Sequence, residues 1–542
     1  MMLQTFDEVI KLLESRVNWE TRNNFSLYGM EERLEDLRQL LKYLGRPETR
    51  YRTVHVAGTK GKGSTCVLLE SILLENHCRV GRFSSPHLYS VRERIAINGI
   101  SCSEKDFIEL MSSLCERMNA WNSKLFQELT YFELITVFAF EYFAQQEVDV
   151  AIFEVGMGGR LDATNVCRPD VTIITSISFD HIAQLGPTLA DIAAEKAGII
   201  KPGIPLISAV RNSEAQTTIR NIAKKHCAPQ FFLGEAFSIH RNSHNENIQK
   251  CFRFRTIPNK FPLDFELKNL SLNLFGLHQI RNASLAIAAA LLLHAKTSRI
   301  VLNQDDIRNG LRKAYLPIRV EIIRSSDTLP VVVVDGAHNR SSLRALIKTV
   351  KTVFPDKRFT VIFGISLGKD VEGMLMDLMQ YFERIILTQY SLNPRHFPPQ
   401  GLKTIASSLP NAPVSMKEEF FGVTEENSGI LLQEDSVILT QNSQSSESVN
   451  NNTNASITQT VSNSKPNDIQ IEIIENCCEA LQKTWAESTP DDVICITGSM
   501  FLAAELRQFL FEQILATNNE LAVNNENNKD NENNKDNEDV NV

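Results

Sequence analysis

No run of about 18 apolar residues, the length a bilayer-crossing helix needs, occurs in the 542-residue chain, so no membrane span is expected. The opening "MMLQTFDEVIKLLESRVNWE" places Asp7 and Glu8 early and lacks a long apolar core, so it is not expected to act as a secretory signal. Positive charge is not in excess either. Lys and Arg number 56 against 65 Asp and Glu, a formal charge of -9, which argues against a nucleic-acid surface but leaves room for a local basic pocket holding a small anion. The ten cysteines show no CxxC spacing. Cys66, Cys167, Cys251 and Cys495 are scattered, and the adjacency of Cys477 and Cys478 is not ligand spacing, so the expectation is reduced thiols in a cytoplasmic protein rather than disulfides or zinc. What is present, 43% hydrophobic and 22% charged residues over a length too great for one core, suggests two soluble globular domains.

Short apolar runs alternate with helical patterns: "TVHVAG", "VDVAIFEVG" and "DVTIITSIS", then "PVVVVDG", "RFTVIFG", "RIILT" and "DVICITGS". Runs of that length between amphipathic helices predict buried parallel strands and an α/β architecture. "CFRFRTIPNKFPLDFELKNLSLNLFG" alternates instead and predicts antiparallel strands, followed by a helix from about His278. Pro317 interrupts a helical pattern before a new β/α series at Val331, which puts the boundary between domains 1–316 and 317–512. Residues 425–468, rich in Ser, Asn and Thr, are expected to form a disordered insertion in the second domain, and the Asn/Asp/Glu-rich 513–542 a disordered tail.

"VHVAGTKGKGSTCVLLESIL" sets Gly58, Thr59, Gly61, Lys62, Gly63 and Ser64 between an apolar strand and a helical pattern. Backbone N–H groups and a helix N-terminus would then converge on one point, a phosphate cradle in which Lys62 meets phosphate oxygens and Ser64 offers a hydroxyl to Mg2+ or phosphate. The spacing is not the common GxxxxGK[ST], because Gly63 separates Lys62 from Ser64. Glu154 ends an apolar strand before a glycine-rich turn, where a carboxylate suits Mg2+ beside a nucleotide, although capping would explain it as well. His181 ends the next strand pattern, Asp335 and His338 follow "PVVVV", and Lys196 lies in a helical "AAEKAGII", where solvation or pairing with acids is the plain alternative.

Together with "SSPHL", "RERIAING", "TYFELIT", "FEVGMGGRLDATN", "DH" at Asp180 and His181, "EKAGIIKPG", "GLHQIRNASLA", "VDGAHN" and "TGS", the loop resembles the folylpolyglutamate synthase/dihydrofolate synthase family of the Mur ligase superfamily over residues 20 to 510. The resemblance implies a P-loop-containing, Mur-ligase-like ATPase domain followed by a smaller Rossmann-like α/β domain. It implies metal ligation by Ser85, Glu154 and His181, and a carbamylated Lys196 holding a second Mg2+. Asn282 would face adenine, Asp335 the ribose, Arg319 the phosphates and His338 the glutamate or nucleotide. Two departures stand out: Ile318 occupies the linker position where the family often has glycine, and "GKD" at Gly368 to Asp370 replaces Asp-Lys-Asp, weakening Lys369 and Asp370 as site candidates.

The implied reaction is ATP-dependent. The γ-phosphate of ATP would convert a pterin or folate carboxylate to an acyl phosphate that the amine of L-glutamate then attacks, with Lys62, Arg319 and Mg2+ offsetting charge on the moving phosphoryl group. A monomer acting on dihydropteroate and on reduced folates is expected. A folylpolyglutamate synthase alone and a non-catalytic nucleotide-binding homologue are the alternatives. A peptidoglycan Mur ligase would carry a further domain before the loop, and only 57 residues precede Gly58.

Overall fold

The computed structural model describes residues 2–18, 30–241, 252–297, 299–323, 329–409 and 469–513. The expected insertion at 425–468 and all but the first residue of the expected tail lie outside the described residues.

Three sheets organise the described residues. The first is built from β1 (Arg52–Ala57), β2 (Val80–Phe83), β3 (Ile95–Ile97), β4 (Ile100–Ser101), β5 (Val150–Glu154), β6 (Val171–Ile174), β7 (Leu206–Ser208) and β8 (Gln230–Phe232). Its order is β4-β3-β2-β5-β1-β6-β7-β8. β2, β5, β1, β6, β7 and β8 run parallel, while at the edge β3 pairs antiparallel with β2 and β4 antiparallel with β3. Val56 pairs with Glu154 and Ala57 with Ile174, so β1, β5 and β6 end together at one edge. That edge carries the site.

Both faces of this sheet are covered, which is why its strands are unbroken apolar runs. Val54, Val56, Val150 and Ile152 point to a core shared with Leu68, Leu69 and Ile72 of the helix Lys62–Glu75 and with Leu285, Leu291 and Leu292 of the helix Leu277–Lys296. The alternate residues Ala151 and Phe153 face a second core with Phe138 and Phe140 of the helix Tyr131–Gln145. A three-stranded antiparallel sheet, β9 (Phe237–Arg241), β10 (Phe252–Thr256) and β11 (Glu266–Leu270), follows, as the alternating pattern predicted for the second and third strands.

The remaining strands are β12 (Glu321–Ile323), β13 (Val331–Val334), β14 (Arg358–Phe363), β15 (Arg384–Gln389), β16 (Gln470–Asn476) and β17 (Asp492–Thr497), in the order β12-β13-β17-β14-β15-β16. Only β12 is antiparallel to its neighbour. Between the two larger sheets runs Pro317-Ile318-Arg319-Val320. Ile318 (φ 51°) and Val320 (φ 49°) both sit in the left-handed region, which is costly for β-branched residues, about 1–3 kcal/mol each. The surroundings hold them there. Ile318 is 1% exposed, Gly336 N donates to Ile318 O at 3.0 Å, and Val320 N donates to Asp335 Oδ2 at 2.8 Å.

Candidate active site

The turn after β1 can be made only with glycine at two points. Gly58 has φ 147° and a Cβ there would lie 1.9 Å from Thr175 Oγ1; Gly61 has φ 87° and its Cβ would lie 2.4 Å from Asn282 Oδ1. The loop is lashed to the end of β6: Thr59 N donates to Ser176 O at 2.8 Å, Lys60 N to Ser176 Oγ at 3.0 Å, and Thr175 Oγ1 to Lys60 O at 2.7 Å. Gly61 caps the helix Lys62–Glu75 without a side-chain acceptor, so the amides of the first turn are left for an anion. Lys62 Nζ curls back to Gly58 O at 3.2 Å. A rigid cradle of amides with one ammonium at its rim is what a polyphosphate requires.

Glu154 stands over that first turn, since a Cβ on Gly63 would meet its Oε2 at 3.4 Å. Burial raises its pKa, although Lys62, the Ser85 N–H, Arg82 and Arg319 all pull the other way. A buried carboxylate that forms no ion pair among the described residues is set up to gain from a divalent ion. Ser85 reaches it from the turn after β2, where the Ser85–Pro86 bond is cis. The approach is braced below by Arg82, which donates from Nε to Glu70 Oε2 at 2.6 Å and from Nη1 to Ser84 Oγ at 2.8 Å.

His181 follows β6 with φ 49° and a side chain 55% exposed. Partial loss of hydration, with the charges of Lys196, Lys369 and Lys62, lowers its pKa against the pull of Asp180, which favours a neutral imidazole able to ligate a metal. Lys196 is 4% exposed in the helix Leu189–Ala197. Burial first, then repulsion from Lys62, brings its ammonium down to about 7.

From the second large sheet come the remaining candidates. Asp335, buried at the end of β13, accepts from Val320 N through Oδ2 and from Ala337 N through Oδ1, each at 2.8 Å. Burial raises its pKa and Arg319 opposes that rise. Arg319 itself donates from Nη1 to Ile318 O at 3.1 Å. His338 Nδ1 donates to Gly336 O at 2.9 Å, leaving Nε2 as the acceptor. Burial and the neighbouring Lys60 bring it down to about 4. Asn282 is buried, with Nδ2 donating to Gln279 Oε1 at 2.8 Å. Asp370 caps the helix Val371–Tyr381, whereas Lys369 lies close enough to repel a charge on His181 and His338.

Sequence reasoning missed Lys60, which pairs with Asp180 at 3.2 Å. Both residues were in view within "GTKGKGS" and "DH", but nothing in a linear pattern pairs positions 120 apart. It also missed the Arg82–Glu70 brace and the half-buried Arg281, whose Nε, itself shielded from solvent, has no hydrogen-bond partner among the described residues.

The Mur ligase middle domain matches residues 56–290, and the Mur ligase glutamate ligase domain matches residues 318–421. The chain is 38% identical over 352 residues to the dihydrofolate synthase/folylpolyglutamate synthase of Bacillus subtilis, covering 65% of this chain and 79% of that protein. The chain belongs to the dihydrofolate synthase/folylpolyglutamate synthase family of Mur ligases. It is 32% identical over 373 residues to a Saccharomyces cerevisiae dihydrofolate synthetase, covering 67% of this chain and 82% of the yeast one. The Mycobacterium tuberculosis folylpolyglutamate synthase, solved with ADP and AMPPCP, superposes with a TM-score of 0.70 at 25% identity, over 93% of this chain and 98% of that one. The expected Mur-ligase α/β architecture is therefore the one found, and the protein is an ATP-dependent ligase.

Proposed function

We propose that this family member adds L-glutamate to the carboxylate of dihydropteroate and of reduced folates, with one centre serving both acceptors. The similarity to a Bacillus subtilis enzyme named for both activities supports this reading, as does the likeness to a dihydrofolate synthetase. The observation that carries the chemistry is the buried Glu154 carboxylate over the uncapped turn at Gly61 to Ser64. It makes an anion-binding cradle and a divalent-cation ligand neighbours.

In this reading Gly58, Thr59, Gly61, Lys62, Gly63 and Ser64 cradle the ATP phosphates, with Asn282 beside adenine and Asp335 beside the ribose. Ser64, Ser85, Glu154 and His181 supply oxygen and nitrogen donors for Mg2+, and a carbamylated Lys196 supplies an anionic oxygen for a second. Bound Mg2+ neutralises phosphate charge. Lys62 and Arg319 bring positive charge to the γ-phosphate as the acceptor carboxylate takes it to form an acyl phosphate. The glutamate amine then displaces phosphate, with neutral His338 Nε2 available to accept a hydrogen bond from the incoming ammonium or amine. With units 1–316 and 317–512, Lys62 would belong to the first and His338 to the second, and closure of the two on each other would exclude water from the acyl phosphate. Among the described residues no helix is long and apolar enough to cross a membrane; a cytoplasmic monomer is part of the proposal.

The test is ADP release with MgATP and L-glutamate, comparing dihydropteroate, tetrahydrofolate and no acceptor, with Lys62→Ala as control. Turnover with both acceptors supports the double activity, and turnover with one restricts the enzyme to that step. No acceptor-dependent ADP from folded, ATP-binding protein would overturn the reading.

A further inference from the structure

Away from the ATP cradle, a second group of ligating atoms converges. Cys477 and Cys478 open the helix Cys477–Glu487 directly after β16, and Glu505 comes from the helical stretch 500–513. The two sulfurs and a Glu505 carboxylate oxygen all lie within 4.8 Å of one another. Cys477 Sγ donates to Glu505 Oε1 at 3.4 Å. In a tetrahedral zinc site, Zn–S and Zn–O bonds of about 2.3 and 2.1 Å put neighbouring S and O ligands about 3.6 Å apart, so this pair already has the separation a shared ion demands.

The atoms are also held in place by groups that would not themselves bind the ion. Asn476 Oδ1 accepts from Cys478 N at 2.9 Å and Glu479 N at 3.1 Å, fixing the turn that carries both thiols. Ser391 N and Leu392 N donate to Glu505 Oε2 at 2.8 and 3.2 Å, and Ser391 Oγ donates to Oε1 at 2.7 Å. Such outer contacts orient ligands and tune affinity. No Lys or Arg among the described residues forms an ion pair with Glu505, whose carboxylate is held by neutral donors alone. Cys477 is buried and Cys478 half-buried, which gives three protein donors and an open side for water.

We propose that Cys477, Cys478 and Glu505 form a binding site for a thiophilic divalent cation, zinc by its donor set. Binding one Zn2+ releases two thiol protons to solvent. The ion ties together the loop after β15, the start of the helix after β16 and the final helix. Neighbouring cysteines in the sequence were not a ligand pattern by themselves; the fold supplies the third donor from a distant helix.

The experiment uses the full chain carrying Cys227→Ser and Cys251→Ser, the first removing an exposed thiol and the second one outside the described residues. The reduced, metal-free protein is titrated with Co2+ alone and then with Zn2+. The expected result is a near-ultraviolet sulfur-to-cobalt charge-transfer band saturating at one Co2+ per chain and abolished by stoichiometric Zn2+. Cobalt at the ATP site would meet oxygen and nitrogen donors and give no such band. Cys478→Ser, at the half-buried position, removes the band while circular dichroism and ATP binding stay as in the parent. Glu505→Gln weakens Zn2+ by at least the ~10–100-fold that losing an outer partner costs. Absence of the band in folded protein, or a band that survives Cys478→Ser, overturns the proposal.

Discussion

Replacing Lys196 by methionine should make this protein more stable and inactive at once. The side chain is 4% exposed, and burial together with Lys62 brings the ammonium from 10.5 to about 7. That difference of 3.5 units corresponds to about 5 kcal/mol at 1.36 kcal/mol per unit, an upper bound for the cost of keeping the lysine charged in the folded chain. The folded state gives up its proton above about 7 and the unfolded chain only above 10.5, so the penalty is complete below pH 7, shrinks as pH rises through that window and vanishes above it. Methionine fills similar space without a charge. In bicarbonate-free buffer, Lys196→Met should therefore exceed the parent by several kcal/mol at pH 6 and by about 2 kcal/mol at pH 9, read from urea unfolding monitored by fluorescence, while acceptor-dependent ADP release is lost. A difference that is absent, or that grows with pH, would refute the reasoning. The same shift raises the neutral amine at pH 7 from roughly one chain in 3000 to about half. The proposed carbamate, formed from the amine and CO2 with loss of one proton, should then appear as a 13C resonance after incubation with labelled bicarbonate and be missing in Lys196→Met.

Four further outcomes are expected. Gly61→Ala forces φ 87° on an alanine and drives its Cβ against Asn282 Oδ1; the backbone strain alone is about 1–2 kcal/mol, and calorimetry should show ATP binding weakened at least tenfold. Glu70→Ala leaves the largely covered Arg82, 14% exposed, without its carboxylate, lowering stability by up to about 3–5 kcal/mol, and Glu70→Ala/Arg82→Met should recover most of it in thermal unfolding. His338 is protonated only as pH falls through about 4, so a kcat profile between pH 5 and 8 should contain no inflection that His338→Asn removes. Ile318→Gly relaxes φ 51° but deletes a side chain 1% exposed, trading roughly 1–2 kcal/mol of strain against 1.5–3 kcal/mol of burial and a further ~1 kcal/mol of chain entropy; the melting temperature should fall.

The sequence displayed the strands that are buried on both faces, because unbroken runs such as Val150–Phe153 and Val331–Val334 have no competing helical period. β16 was not legible. Its residues, Gln470–Asn476, alternate acids with isoleucine just past a low-complexity stretch, and pairing with β15 rather than composition makes them a strand. The site divided in the same way. Gly58 and Glu154 could be marked because each sits at the end of a recognisable strand, and Lys62 and His181 because each follows one within a few residues. Lys60–Asp180 and Arg82–Glu70 could not, because their partners are set by which strands adjoin, and the order β2-β5-β1-β6 is nowhere written in the chain.

Asp335 has a mechanical consequence. Its carboxylate grips Val320 N on one side and Ala337 N on the other, and Gly336 N holds Ile318 O, so the residues on both sides of Arg319 are fastened to β13. In the proposed closure Arg319 would therefore move with the glutamate-ligase unit, and the pivot would lie before Ile318. In the proposed reaction its guanidinium would act as a position gauge: the positive charge would reach the phosphates only when the unit bringing glutamate had arrived, so the barrier to phosphoryl transfer would fall at the moment when an amine was there to receive the product.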